Sequence, residues 1–263
     1  MSCHLHNASC ANRNCLVASS LFDGRFGAEP ASSQRRVKEE ASVTEFDFTG
    51  LLTFWARRWD DILGLVVEHI TVVAVALVIA MAIGVGIGML VWSRPIPRSV
   101  TIAAAGVALT IPSLALLAIL IPPFGLGWTP TVIALVVYSL LPIVRNTVVG
   151  LREVPPAIME SAKGMGMSPV KVLFSIQLPM AWPVILTGVR VAAQLTVGIA
   201  AIAAYVAGPG LGAFIFRGLS SLGSKNALNF ALTGTVGVII LALLIDAIFV
   251  AITRSTTSRG LRA

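Results

Sequence analysis

The stretch ITVVAVALVIAMAIGVGIGMLV, residues 70–91, carries no charged residue over its whole length. An α-helix rises 1.5 Å per residue and the hydrocarbon core of a bilayer is roughly 30 Å thick, so about twenty apolar residues suffice to cross it. Four further stretches meet the same criterion, at 99–121, 130–150, 183–206 and 231–252. The first of these is also free of charge, and the other three carry one charged residue each, Arg145, Arg190 and Asp246. An isolated strand cannot satisfy its backbone in lipid, so each stretch reads as a helix. The expected fold class is therefore an all-α polytopic membrane protein with about five transmembrane helices.

Composition points the same way. Of the 263 residues 56% are hydrophobic and 12% charged, against about a quarter charged in soluble domains. The formal charge of +7 does not suggest nucleic acid, because the basic residues are scattered over short loops rather than gathered into a stripe with interleaved aromatics. It reads instead as topology. Arg94, Arg98, Arg145, Arg152, Lys163, Lys171, Arg190, Arg254, Arg259 and Arg262 fall on or beside alternate connections, whereas the connections on the opposite side offer none at 122–129 and only Arg217 and Lys225 at 207–230. The positive-inside bias then places the 151–182 loop and the 255–263 tail in the cytoplasm and the N-terminus outside.

Residues 1–61 are polar and mixed in charge and hold all three cysteines, Cys3, Cys10 and Cys15. They read as a disordered extension. With His4 and His6 these cysteines match no paired metal-ligand spacing, so no metal site is assigned. No apolar core of a secretory signal follows the start. Initiation at Val37 or Val43 from an alternative start codon would account for such a prefix, and an intact mass that includes residue 1 would dispose of that reading. Near 54–61, Phe54, Trp55 and Trp59 with Arg57 and Arg58 read as an interfacial stretch with rings at headgroup depth.

The 151–182 segment is too polar to span and too rich in local signals to be slack. Pro155 and Pro156 suit a helix start, and Gly164 and Gly166 permit a sharp turn. Ser168 and Pro169 form an N-cap and first-position pair for a second short helix that Pro179 is expected to end, with Val172, Leu173 and Ile176 on one face. From Val154 onward the segment is thus a compact platform presenting one carboxylate, Glu160. It resembles the EAA loop of ABC importer permeases, E-A-A, three residues, G, nine residues, then I-x-L-P. Glu160, Ser161, Ala162, Gly166, Ile176, Leu178 and Pro179 occupy those positions in register, with Ser161 in place of the first alanine.

A more specific resemblance, to the glycine betaine, carnitine and choline permeases, covers most of residues 69–250. It rests on TIPSLALLAILIP at 110–122, LVVYSLLPIVRNTVVGL at 135–151, AKGMGMSPVKVL at 162–173, LPMAWPVILTGVR at 178–190 and AGPGLGAFIFRGL at 207–219. The last departs from the pattern at Pro209. The resemblance implies a MetI-like, type I ABC importer permease bundle. The 151–182 loop, through Glu160, Ser161, Ala162, Gly164, Gly166, Ile176, Leu178 and Pro179, would couple to a separate ABC ATPase. It further implies a second permease chain, identical or related, and an external solute-binding protein. ATP and Mg would sit on the ATPase, with no cofactor on this chain. The nearest approach to a phosphate loop, Gly218 to Gly223 with Ser224 and Lys225, has its lysine one place late.

Within the spans, Pro112 frees backbone carbonyls, which is tolerated where the break faces protein or a cavity. Ile111, Pro112, Ser113 and Leu114 are thus candidates for the translocation pathway, with a packing kink as the alternative. Tyr138 and Pro142 lie one turn apart and could face the same cavity, or Tyr138 could bond a neighbour's backbone. Asn146 follows one turn later. Arg145 can snorkel to the boundary, and Arg190, with Gln194 one turn on, can pair with Asp246 or serve an ion relay. Gly84 and Gly88 allow close helix approach. An ion-driven carrier would want an inverted repeat and more intramembrane acids. A membrane enzyme would want paired carboxylates, a metal set or a nucleophile with its base, and His69 stands alone at a membrane boundary. The same machine with another small polar solute, such as an amino acid, a sulfonate or a thiol betaine, remains the alternative cargo.

Overall fold

The computed structural model describes residues 48–256; the cysteines and histidines of the first fifteen residues, Val37, Val43, Arg259 and Arg262 lie outside them. The described elements are α1 (Phe48–Arg57), α2 (Trp59–Val91), α3 (Pro95–Thr110), α4 (Ser113–Phe124), α5 (Trp128–Arg152), α6 (Pro156–Gly164), α7 (Pro169–Val172), a π-helical turn (Leu173–Gln177), α8 (Leu178–Ala203), a 3₁₀ turn (Ala204–Val206), α9 (Gly212–Ser220) and α10 (Ala227–Thr256). Four helices are each long and apolar enough to cross a membrane: α2, α5, the continuous run Pro169–Val206, and α10. The fifth expected span, 99–121, is not one rod: α3 and α4 meet at a bend of 94°. The reason is Pro112, which has no N–H to give and holds φ at −57° and ψ at 133°, with Ile111 before it also extended; the residue before a proline is pushed out of the α region.

Helix α5 is the centre, packed along most of its length against α2 and α8. Lipid tails are as apolar as leucine, so contact between spans depends on close fit and small residues rather than on escape from water. That fit is visible at three positions on two crossings. A Cβ on Gly84 would lie 2.7 Å from Ile143 Cγ2, one on Gly88 would lie 2.6 Å from Thr147 Cγ2, and one on Gly188 would lie 2.6 Å from Pro142 O. Ala80, Ala181, Ala192, Ala76 and Ala200 are wholly buried around the same axis. By contrast α3 buries no residue, and α10 leaves Ile239, Ile240, Leu243, Leu244 and Ile248 exposed.

The stretch expected at the interface packs on the bundle. α1 folds back on the start of α10, where Trp55 Nε1 donates to Thr233 Oγ1 at 2.8 Å and Phe54 meets Phe230 edge to face at 4.9 Å. Arg58 and Arg217 lie over the Phe230 ring at 5.1 and 5.5 Å. The part of the extension from Phe48 onward is therefore ordered helix, contrary to the expectation for 1–61.

The end of the bundle remote from α6 is closed by the glycine-rich connection after α8. Gly127 N–H donates to Val206 O at 3.2 Å and Gly208 N–H to Ala203 O at 2.9 Å. A Cβ on Gly208 would collide with Ala203 O at 2.7 Å and Thr131 Oγ1 at 2.8 Å. Pro209 is half-buried within this turn.

Gly84→Val and Gly88→Val should each destabilise the protein by about 1–3 kcal/mol, the usual range for overpacking a close-packed site. Gly86→Ala, where a Cβ meets nothing within 4 Å, should be neutral or mildly stabilising. Thermal unfolding in detergent decides, and equal midpoints for Gly84→Val and Gly86→Ala would contradict the close crossing.

Candidate coupling platform and polar groups of the spans

The platform is built by local chemistry. Pro155 sits in extended conformation and Pro156 opens α6. At its end Met167 N–H donates to Ala162 O at 3.2 Å and Gly166 N–H to Lys163 O at 2.9 Å, with Gly166 at φ +77°. This is the Schellman arrangement, in which a left-handed residue after the helix satisfies its last carbonyls. Gly166 carries that turn; Gly164 ends α6, and a side chain there would meet nothing within 4 Å. Ser168 then caps α7, its Oγ accepting from Lys171 N–H at 3.4 Å, with Pro169 in the first turn.

Pro179 does not end the second helix. From Leu173 to Gln177 the chain widens into a π turn, Leu178 N–H donates to Leu173 O, and α8 continues without interruption to Ala203. The wider turn shifts the hydrogen-bond register just where proline lacks a donor, so Pro179 falls in the first turn of α8, where its missing N–H matters least. The span expected at 183–206 is thus one helix with the platform's second arm.

The faces of the platform separate cleanly. Ala162, Val172 and Gln177 are buried, and Leu173 and Leu178 pack on the bundle core. Glu160, Ser161 and Pro179 are exposed and Ile176 half-buried; the Ser161 hydroxyl donates to Ala157 O at 2.8 Å. Ile158, Met165, Val170 and Phe174 point away from the bundle, Met165 with 71% and Phe174 with 54% of their surface exposed. Sequence reasoning missed Met165, Val170 and Phe174; for Val170 and Phe174 the signal was their position opposite Val172, Leu173 and Ile176. Glu160 borders a cavity of about 360 Å³ with Trp92, Arg152, Met159, Lys163 and Gln177.

Inside the spans, the bend at Pro112 and Tyr138 belong together: the Tyr138 hydroxyl donates to Ile111 O at 2.7 Å, and the ring is 2% exposed. Tyr138 therefore bonds a neighbour's backbone and does not line a cavity with Pro142. Pro142, Arg145 and Asn146 instead border a space of about 310 Å³ with Leu109, Val191 and Leu195. Asn146 Nδ2 donates to Pro142 O at 2.8 Å, one turn back along α5. Ser113 is half-buried and Pro112 and Leu114 are exposed at the bend.

Arg190 and Asp246 form a bidentate ion pair between α8 and α10, Nε to Oδ1 at 2.6 Å and Nη2 to Oδ2 at 2.7 Å, and Gln194 Nε2 donates to the same Oδ1. Both charges are half-buried, with 37% and 28% of their side chains exposed. Two parallel N–H···O bonds fix orientation as well as distance, so the pair ties the sparsely buried α10 to the bundle.

With this geometry in place the comparisons are direct. Residues 80–258 match the family of binding-protein-dependent transport system inner membrane components, and this chain belongs to that family. It is 34% identical to the choline transport system permease protein OpuBB of Bacillus subtilis over 81% of this chain and 96% of that one. It is 35% identical to the osmoprotectant import permease protein OsmW of Salmonella typhimurium, over 76% and 94%. The fold matches a chain of the inward-facing MetNI methionine ABC transporter, with a TM-score of 0.66 at 24% identity over 75% of this chain and 96% of that one.

Tyr138→Phe should lower stability by about 0.5–1.5 kcal/mol through the unpaired Ile111 carbonyl; an unchanged unfolding midpoint would remove that bond from the account. For the ion pair, Asp246→Ala and Arg190→Ala should each lower the midpoint, and the double variant should lose less than the two losses added. Simple additivity would mean that the two charges do not act together.

Proposed function

We propose that this chain is the transmembrane permease of an ATP-driven importer carrying small quaternary-ammonium solutes such as glycine betaine, carnitine, choline or proline betaine. Family membership supports the importer role, and the solute class rests on the named substrates of the relatives. The observation that carries the coupling reading is the continuity of platform and span: an exposed apolar arm with Val170 and Phe174, next to Met165 in the turn before it, runs through the π turn into α8 without a break. An apolar patch outside the spans calls for a protein partner, and a separate ATPase that holds ATP and Mg suits it. Glu160, exposed beside Lys163 and Arg152, would bond a basic group or backbone N–H of that partner.

In this scheme the ATPases open and close, the platform follows, and the rigid α8 carries the displacement into the bundle, shifting the population of two arrangements. The route would run by the bend at Ile111 to Leu114 and the Pro142, Arg145 and Asn146 cavity. A second permease chain would cover the open faces of α3 and α10, and an external binding protein would deliver the solute. The platform end then faces the cytoplasm and the closed end, with α1, faces outward. The basic residues Arg94, Arg98, Arg152, Lys163 and Lys171 on the platform-end connections support that orientation.

ATP-dependent uptake of labelled glycine betaine, carnitine and choline into vesicles holding this chain with its ATPase and binding protein should occur for at least one solute and fall at least tenfold in Glu160→Ala. Uptake of none, with ATP hydrolysis responding to a different solute, would keep the machine and replace the cargo.

A further inference from the structure

Among the described residues one fully buried polar side-chain atom has no hydrogen-bond partner, Nδ1 of His69. His69 lies on α2 toward the end remote from the platform and is wholly buried, with Nε2 3.2 Å from Val197 O on α8. A carbonyl oxygen only accepts, so Nε2 carries the hydrogen and Nδ1 of the neutral ring is a bare acceptor. What covers it is the connection after α8. Gly210 stands at φ +114°, and a Cβ built on it would lie 2.8 Å from both Nδ1 and Cβ of His69. The loop backbone thus rests on the ring, keeps water away and donates nothing to it.

The same loop seals that end of the bundle on its other sides, with Gly208 against Thr131 and Gly212 against Ala201 O, where a Cβ would overlap. A buried acceptor without a partner is costly only while it stays buried. When the loop lifts, water reaches Nδ1 and that cost disappears, whereas an apolar side chain at 69 would lose contacts and gain nothing. The histidine therefore brings the sealed and lifted states closer in free energy, and a route that opens alternately to the two sides needs both states within reach.

We propose that His69 is the positioning residue of an outer lid: its unpaired Nδ1 beneath Gly210 keeps the 207–211 loop poised to lift. The proposal goes beyond the import reading and rests on it only for which side is outer.

The test uses the complete transporter in vesicles, with Cys3, Cys10 and Cys15 replaced by serine and the buried Val206 replaced by cysteine as reporter. Labelling by a membrane-impermeant maleimide then measures lifting. His69→Leu should slow labelling about tenfold, equivalent to about 1.4 kcal/mol, and lower the maximal rate of ATP-driven uptake while leaving half-saturation unchanged. His69→Phe, which fills similar space, should move labelling in the same direction should the leucine variant fail to insert. Gly210→Ala, whose Cβ would press on the ring, should speed it. Labelling unchanged or faster in the His69 variants would overturn the proposal, leaving the ring as a packing pin. The expected labelling pattern in a protein that imports none of the three solutes would keep the lid and remove the cargo assignment.

Discussion

In a hydrocarbon layer no water stands ready to accept or donate, so each backbone group released from a helix has to be answered from within the protein. The bundle is organised around such answers. Pro112 turns the second span through 94°, and the Ile111 carbonyl at the break is taken by Tyr138 from the central helix. Pro142 lies inside α5, and the Asn146 side chain adds a donor to its carbonyl one turn on. Pro179 lacks a donor and the π turn before it shifts the register. These three prolines set a bend, a cavity edge and a junction respectively.

The second requirement follows from the first solvent. Without a hydrophobic drive between spans, contact has to come from fit, and the glycines on α2 and α8 bring those helices onto α5 at distances where a methyl group would collide. Rigidity is thereby concentrated in α2, α5 and α8. Helices α3 and α10 bury little, and α10 is tied by the Arg190 and Asp246 fork and by the aromatic contacts of α1. A tight core with loosely held flanks suits a molecule whose halves move relative to one another.

Much of this was legible in the sequence, for physical reasons. Spans are written in runs of apolar residues, the platform in Pro-Pro, Gly166 and Ser-Pro, and the ion pair in two charges too costly to stand alone in lipid. Four features were not. The bend at Pro112 required knowing that Ile111 is extended as well, which distinguishes a break from a kink. The passage of the helix through Pro179 depended on a π turn, and no residue type announces one. The exposed faces of Met165, Val170 and Phe174 could be separated from core positions only once the inward side of α7 was known. His69 read as solitary because its neighbours, Val197 and Gly210, are distant in sequence.

The join between platform and span also determines what kind of signal can pass. A flexible linker after α6 would absorb displacement, since its many conformations differ little in free energy. A helix that begins outside the spans at Pro169 and runs to Val206 has no such freedom except at Leu173 to Gln177, where the widened turn can gain or lose its extra residue. Under the proposed coupling, movement of the exposed arm would pass to the core as a rigid tilt of α8 about its glycine crossing with α5 or be taken up by a register change confined to that turn. A tilt would reach Arg190, and through it α10, along side chains already in contact.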